Sequence, residues 1–248
     1  MAEESSMDYI ARVIEPSDRK DSSLEDERGM LRSFYFQKPI GEIQYSESGG
    51  ATVERDGLTL HLNYRGLDNI IDKPQIEAKE RLTAYNKGYR KLTGFSLADN
   101  SGNELHLSDL VPDEWSLIFN PESPRYELAG LANIRNKTIL INGDLSIPEA
   151  ILTAIHERGH IEKLSGKDPN ELKEAMEKYF ACESLTNVPS TEDLAYHLRE
   201  ERDAWAYAAN VIRPFTRGSN QIFTPDVVDN HIHERLTIPS DRVRYWSK

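Results

Sequence analysis

The stretch that most limits what this chain can fold into is Ile147 to Leu164. Its centre, His156-Glu157-Arg158-Gly159-His160, sets ionisable side chains among apolar neighbours. Ile151, Leu152, Ala154, Ile155, Ile161 and Leu164 recur around it at helical spacing. Ser146 with Glu149 three residues later reads as a capping box, Pro148 suits a first turn, and Gly166 makes a stop. On such a helix His156 and His160 fall one turn apart on one face, where both imidazoles can reach a single metal ion. Glu157 projects beside them, within reach of a water at that metal. The bland reading is a solvated face carrying two histidines and two acids; the apolar frame of the helix favours the metal.

Composition narrows the setting. At 248 residues the chain can bury a sizeable core as one large domain or two small ones. A net charge of −12 and a pI near 5.1 argue against direct binding to nucleic acid or to anionic membrane surfaces. No apolar run reaches the ~18 residues that cross a bilayer, and the acidic start Met1-Ala-Glu-Glu does not resemble a secretory signal. The single cysteine, Cys182, allows no intrachain disulfide and reads as a small buried hydrophobe. The expected location is cytoplasmic.

Three stretches are expected along the chain. Residues 1–30, rich in acids, Ser and Lys, read as a flexible acidic arm. Residues 31–125 read as a mainly β domain with one helix: strands at Leu31–Phe36, Gly41–Ser46 and Leu58–Tyr64, a helix over Gln75–Leu92, then strand character from Phe95 to Phe119. Gly49-Gly50, Asp56-Gly57 and Asp99-Asn-Ser-Gly102 punctuate them as turns, and His61 is a strand-surface residue. Residues 126–248 hold a strand at Thr138–Asn142 feeding the motif helix. Helices follow over Asn170–Leu185, over Thr191–Ile212 with Pro214 closing it, and over Asp226–Leu236. The fold class is α+β, a β-rich N-terminal half followed by a helical half.

Two histidines do not complete a catalytic zinc site, which takes three protein ligands and keeps one position open. A third histidine at the spacing of the metzincins is ruled out, because Lys163 and Gly166 stand where that pattern needs Gly and His. The remaining route is a glutamate from a later helix, with Glu171, Glu174, Glu177, Glu183, Glu192, Glu200 and Glu201 available. On Thr191–Ile212, Leu194, Leu198, Trp205, Ala208 and Ile212 form an apolar stripe, and Glu201 fills its missing rung about 20° from Leu194. An ionised carboxylate there is costly without a cation. Glu200, about 100° away on a wetter side with Asp193 and Tyr207, ranks second. A buried salt bridge from Glu201 to Arg158 or Arg202, or Glu183 as ligand, are the competing readings.

With those residues in place, a family likeness emerges. His156-Glu-Arg-Gly-His160 followed by Glu201-Arg-Asp-Ala-Trp-Ala-Tyr-Ala208 resembles the gluzincin zinc peptidases, and within them the ImmA/IrrE-like group. That group carries H-E-x-G-H and then a Glu followed by Ala, an aromatic and Ala at three, six and seven residues, places taken here by Ala204, Tyr207 and Ala208. The resemblance implies a zincin-like core in which His156, His160 and Glu201 ligate Zn²⁺ and Glu157 is the catalytic glutamate. Thr138–Asn142 resembles the substrate-lining edge strand of that fold. The likeness covers residues 126–213, and Trp205 stands where the group usually has Asn or Asp.

The expected function is therefore zinc-dependent hydrolysis of peptide bonds in a peptide or protein substrate. Glu157 serves as general base, and Tyr207, His197, His231 or His233 is a candidate donor to the oxyanion. Three readings compete with it. One is zinc hydrolysis of a non-peptide amide. Another is a regulatory module whose zinc is closed by a fourth ligand from the His231/His233 region. The third is an enzyme held inactive by its own arm or tail.

Overall fold

The structure, a computed structural model, describes residues 38–67, 88–122, 130–134, 136–165, 167–168, 170–172, 174–175, 190–218, 220 and 222–246. The expected arm at 1–30, the strand Leu31–Phe36, most of the helix Gln75–Leu92, and both Cys182 and Glu183 lie outside them. Strands β1 (Ser48–Arg55), β2 (Leu58–Gly66), β3 (Arg90–Asp99), β4 (Glu104–His106), β5 (Ser116–Phe119), β6 (Gly130–Asn133) and β7 (Thr138–Ile141) make one seven-stranded sheet. Its order is β1-β2-β3-β5-β7-β6, with β4 also paired to β3. All pairings are antiparallel except β5 with β7. The sheet crosses the boundary expected near residue 125, since β5 lies before it and β7 after it.

The β1–β2 hairpin follows from its turn. Asp56 and Gly57 are both at positive φ, 50° and 80°, as a two-residue hairpin loop of this twist requires. Along β2 the expected alternation holds: Leu58, Leu60, Leu62 and Tyr64 are buried while His61 is exposed, with its Nδ1 2.8 Å from Thr52 Oγ1. Two expectations in this half are corrected. Gly41–Ser46 is not a strand; its Tyr45 packs against Tyr64 and Phe119 and donates to Asp144. Arg90 to Leu92 belong to β3 rather than to a helix, because all three pair with β2 and the first two also with β5.

Helix α1 (Leu107–Leu110) is a single turn, and three longer helices follow: α2 (Pro148–Leu164), α3 (Thr191–Thr216) and α4 (Pro225–Trp246). The described residues between 170 and 175 are also helical. The start of α2 differs from the expected capping box. Its N-cap is Ile147, Ser146 makes no cap bond, and Asp144 instead accepts from the Ser146 N–H in a turn that delivers Pro148 to the first helical position. The capping box forms on α3, where Ser190 and Asp193 satisfy each other's backbone N–H groups.

Pro214 does not close α3. It sits in the last turn, where it removes the N–H that would bond to the carbonyl four residues back, and the fully buried Phe215 holds the helix on to Thr216. Helix α4 runs ten residues beyond the expected end at Leu236, reaching Trp246. One core joins the inner face of the sheet to α2, α3 and α4. Among the described residues no helix is long and apolar enough to cross a membrane.

Candidate active site

Helix α2 is buried almost all round: eleven of its seventeen residues are inaccessible, including His156 and Glu157. Helix α3 crosses it at a contact between small residues. A Cβ placed on Gly159 would lie 2.9 Å from both the Cα and the carbonyl oxygen of Ala204. Only a glycine lets the backbones approach so closely. That approach brings Glu201, one turn before Ala204 and Trp205, over the two histidines.

Three side chains meet there. His156 Nε2 and His160 Nε2 are 3.1 Å apart; Glu201 Oε2 is 3.6 Å from the first and Oε1 is 3.4 Å from the second. Their side chains are 7%, 13% and 12% exposed. Bonds of about 2.0–2.2 Å at tetrahedral angles place neighbouring zinc ligands about 3.3 Å apart, and the observed separations bracket that value. The donor set, two imidazole nitrogens and a carboxylate oxygen, suits zinc. Among the described residues these three are the group of His, Cys, Asp and Glu side chains whose ligand atoms converge. The stripe reading of Glu201 therefore describes its position, and the alternative pairing with Arg158 does not occur. Arg158 donates instead to Glu162 and to the Ser108 carbonyl.

The electrostatics follow from burial. Desolvation drives His156 down to about 3, helped by the neighbouring His160, so its ring is neutral and free to ligate. Burial works against a proton on His160, yet the hydrogen bond and charge of Glu201 overcome it and raise that histidine. A metal binding here displaces that proton. Burial also lifts Glu157 to about 7, with the negative charge of Glu201 adding to it; the charge of His160 pulls the other way. A carboxyl poised near neutrality can both take and return a proton.

Strand β6 flanks Glu157. A Cβ on Gly130 would lie 2.8 Å from Glu157 Cγ and Oε1, so the glycine makes room for the acid. Here the structure corrects the expected edge: β7 is interior, paired to β5 on one side and β6 on the other, and β6 ends the sheet beside the site. Leu131 on β6 is 41% exposed, the one large hydrophobic so exposed among the described residues.

Glu200 is not on a wet side. It is buried and paired at 2.9 Å with Lys163, which the last turn of α2 brings across to α3. Tyr207 lies outside the trio: it is half-buried on α3 beside Arg158, and Arg158 sits about 200° around α2 from either histidine. His233 is exposed, and His197 is buried without joining the ligand group. His231 is buried, its Nδ1 4.0 Å from Glu149 Oε1, and burial pushes it down to about 3.

Sequence reasoning missed two participants. Trp205, seen there only as a departure, stacks on His156 with ring centroids 4.0 Å apart; its place four residues after Glu201 was the available signal. The backbone of β6 was hidden by small residues. Compared with family models, curated proteins and solved structures, the chain finds no match.

Proposed function

We propose that this chain is a zinc-dependent endopeptidase in which His156, His160 and Glu201 hold the metal and Glu157 is the general base. The observation that carries this reading is the convergence of two imidazole nitrogens and a carboxylate at zinc-ligand spacing, with a second buried carboxyl, Glu157, beside them. Zinc in that position supplies a Lewis acid that lowers the pKa of a bound water towards ~7 and polarises a carbonyl. The residues do the rest. Glu157, shielded by α2 and β6, accepts a proton from water at its carboxylate and returns it to the departing amine nitrogen. Among the described residues no fourth side chain joins the trio, so a zinc held there would keep a position for water, as a catalytic site needs.

A peptide substrate would pair with β6, the last strand of the sheet among the described residues, and place side chains beside Leu131. The test is elemental analysis combined with a peptide-library cleavage assay, run with and without chelator on wild type and Glu157→Ala. One equivalent of zinc in both proteins is expected. Cleavage should be chelator-sensitive in wild type and lower by about 10²–10⁴-fold in the variant. Zinc without cleavage in the wild type points to a regulatory module, and unimpaired cleavage by Glu157→Ala removes the general base.

A further inference from the structure

His156 is held in an unusual way for a metal ligand. Such a histidine almost always donates its second ring N–H to a carboxylate, a carbonyl or water, and that bond fixes tautomer and ring plane together. His156 Nδ1 is buried and has no hydrogen-bond partner among the described residues. What meets the ring is the indole of Trp205, stacked with 4.0 Å between centroids and 27° between planes. The indole is itself confined. Trp205 is buried, and His231 from α4 closes on it edge-to-face at 5.6 Å. Behind His231, Glu149 of α2 accepts from Arg235 of α4, so both helices brace the stack. Because Trp205 follows Glu201 by four residues, a single face of α3 delivers the carboxylate and the indole to the same place.

We propose that Trp205 is the positioning residue of the metal site: its indole plane, in place of a hydrogen bond at Nδ1, sets the His156 ring so that Nε2 faces His160 and Glu201. This rests on the zinc reading above and adds to it how one ligand is aimed. The indole touches neither metal nor substrate; it acts through His156.

The experiment measures zinc affinity by competition with a chromophoric chelator, and the absorption spectrum of the cobalt(II)-loaded protein, in the full chain. Wild type is compared with Trp205→Ala and Trp205→Phe, with far-ultraviolet circular dichroism as the check on folding. The alanine variant is expected to bind zinc about 10- to 100-fold more weakly, the usual loss when the support of a ligating histidine is removed. Its cobalt spectrum should change, and phenylalanine, which keeps a ring to stack, should recover most of the affinity. Wild-type zinc affinity and an unchanged cobalt spectrum in a folded Trp205→Ala protein overturn the proposal.

If the alanine variant does not fold, the emission of Trp205 is followed during zinc titration of a Trp115→Phe/Trp246→Phe protein. An indole stacked on a ligand ring responds as the site fills, and an emission that never moves overturns the proposal equally. The two levels stay distinguishable. A wild-type protein that binds no zinc sinks the zinc reading and this inference with it. A zinc-binding wild type with an indifferent Trp205→Ala sinks only the role of the indole.

Discussion

The β1–β3 meander and the α2–α3 crossing both have dry centres, yet they are assembled by different rules. Along β2 burial alternates, so each core leucine has an outward polar neighbour that the fold hardly uses. Along α2 burial is nearly continuous from Pro148 to Glu157, and the buried set includes groups that carry charge or lone pairs. The meander is held by apolar area, which adapts to small changes in volume. The crossing is held by close backbone contact and by polar atoms that need specific partners. Changes in the first region should therefore cost stability alone, while changes in the second should cost stability and metal together.

Truncating the meander core tests the first half of that statement and carries the largest expected loss of stability. Leu97 is fully buried in the second half of β3. Leu97→Ala should lower the unfolding free energy by about 2–5 kcal/mol through lost transfer energy and the cavity left behind. Zinc affinity, measured on the still-folded protein, should stay at the wild-type value. A large fall in affinity with this substitution would erase the distinction between the two regions.

The second effect is smaller and appears as a pH dependence of the metal-free protein. Burial raises Glu157 from its ordinary 4.5 to about 7. Between those values the native state keeps a proton that the unfolded chain has lost. The associated stability is fully present below pH 4.5 and is lost as pH rises through 7, in all about 3 kcal/mol. His156, lowered from 6.5 to about 3, acts in the opposite sense between those limits, so wild type alone shows a partly cancelled slope. Glu157→Gln removes the first contribution and keeps the second. Urea midpoints in chelator from pH 4.5 to 8 should show the variant gaining on wild type as pH rises; parallel curves would mean that Glu157 is not held in a desolvating site.

How much of this was legible follows from the same contrast. Alternation at Leu58–Tyr64 gave β2, and the interrupted stripe on α3 gave Glu201, because period 2 and period 3.6 survive in one sequence without knowledge of neighbours. Strand β6 was not legible: Gly130-Leu-Ala-Asn133 is four residues long and mostly small, so nothing alternates. The partner of Glu200 was hidden for another reason, since Lys163 reaches it from a different helix and only the crossing brings the two together. The expected cap at Ser146 does not form: the helix starts one residue later at Ile147 with no side-chain cap, and Asp144 instead takes the Ser146 N–H in the turn before it. Periodic burial was visible; partners supplied by tertiary approach were not.

The sharpest probe of the crossing is also the mildest chemically. Gly159→Ala adds one methyl group to a helix interior, a change that by itself favours the helix by about 1 kcal/mol. Here the added Cβ would lie 2.9 Å from Ala204 Cα and from its carbonyl oxygen, and 3.1 Å from Tyr207 Cβ. Backbone cannot rotate aside as a side-chain tip can, so α3 has to move away from α2. The intrinsic gain should be reversed into a net loss of about 1–3 kcal/mol by overpacking. The same displacement withdraws Glu201, which stands three residues after Leu198 and three before Ala204, from nitrogens it now approaches at 3.4 and 3.6 Å. Zinc affinity should then fall together with stability, as read by chelator competition and urea unfolding on the same preparation. A protein stabilised by this substitution, or one that loses stability but binds zinc as before, would show that the close approach of the helices is not what gathers the three ligands.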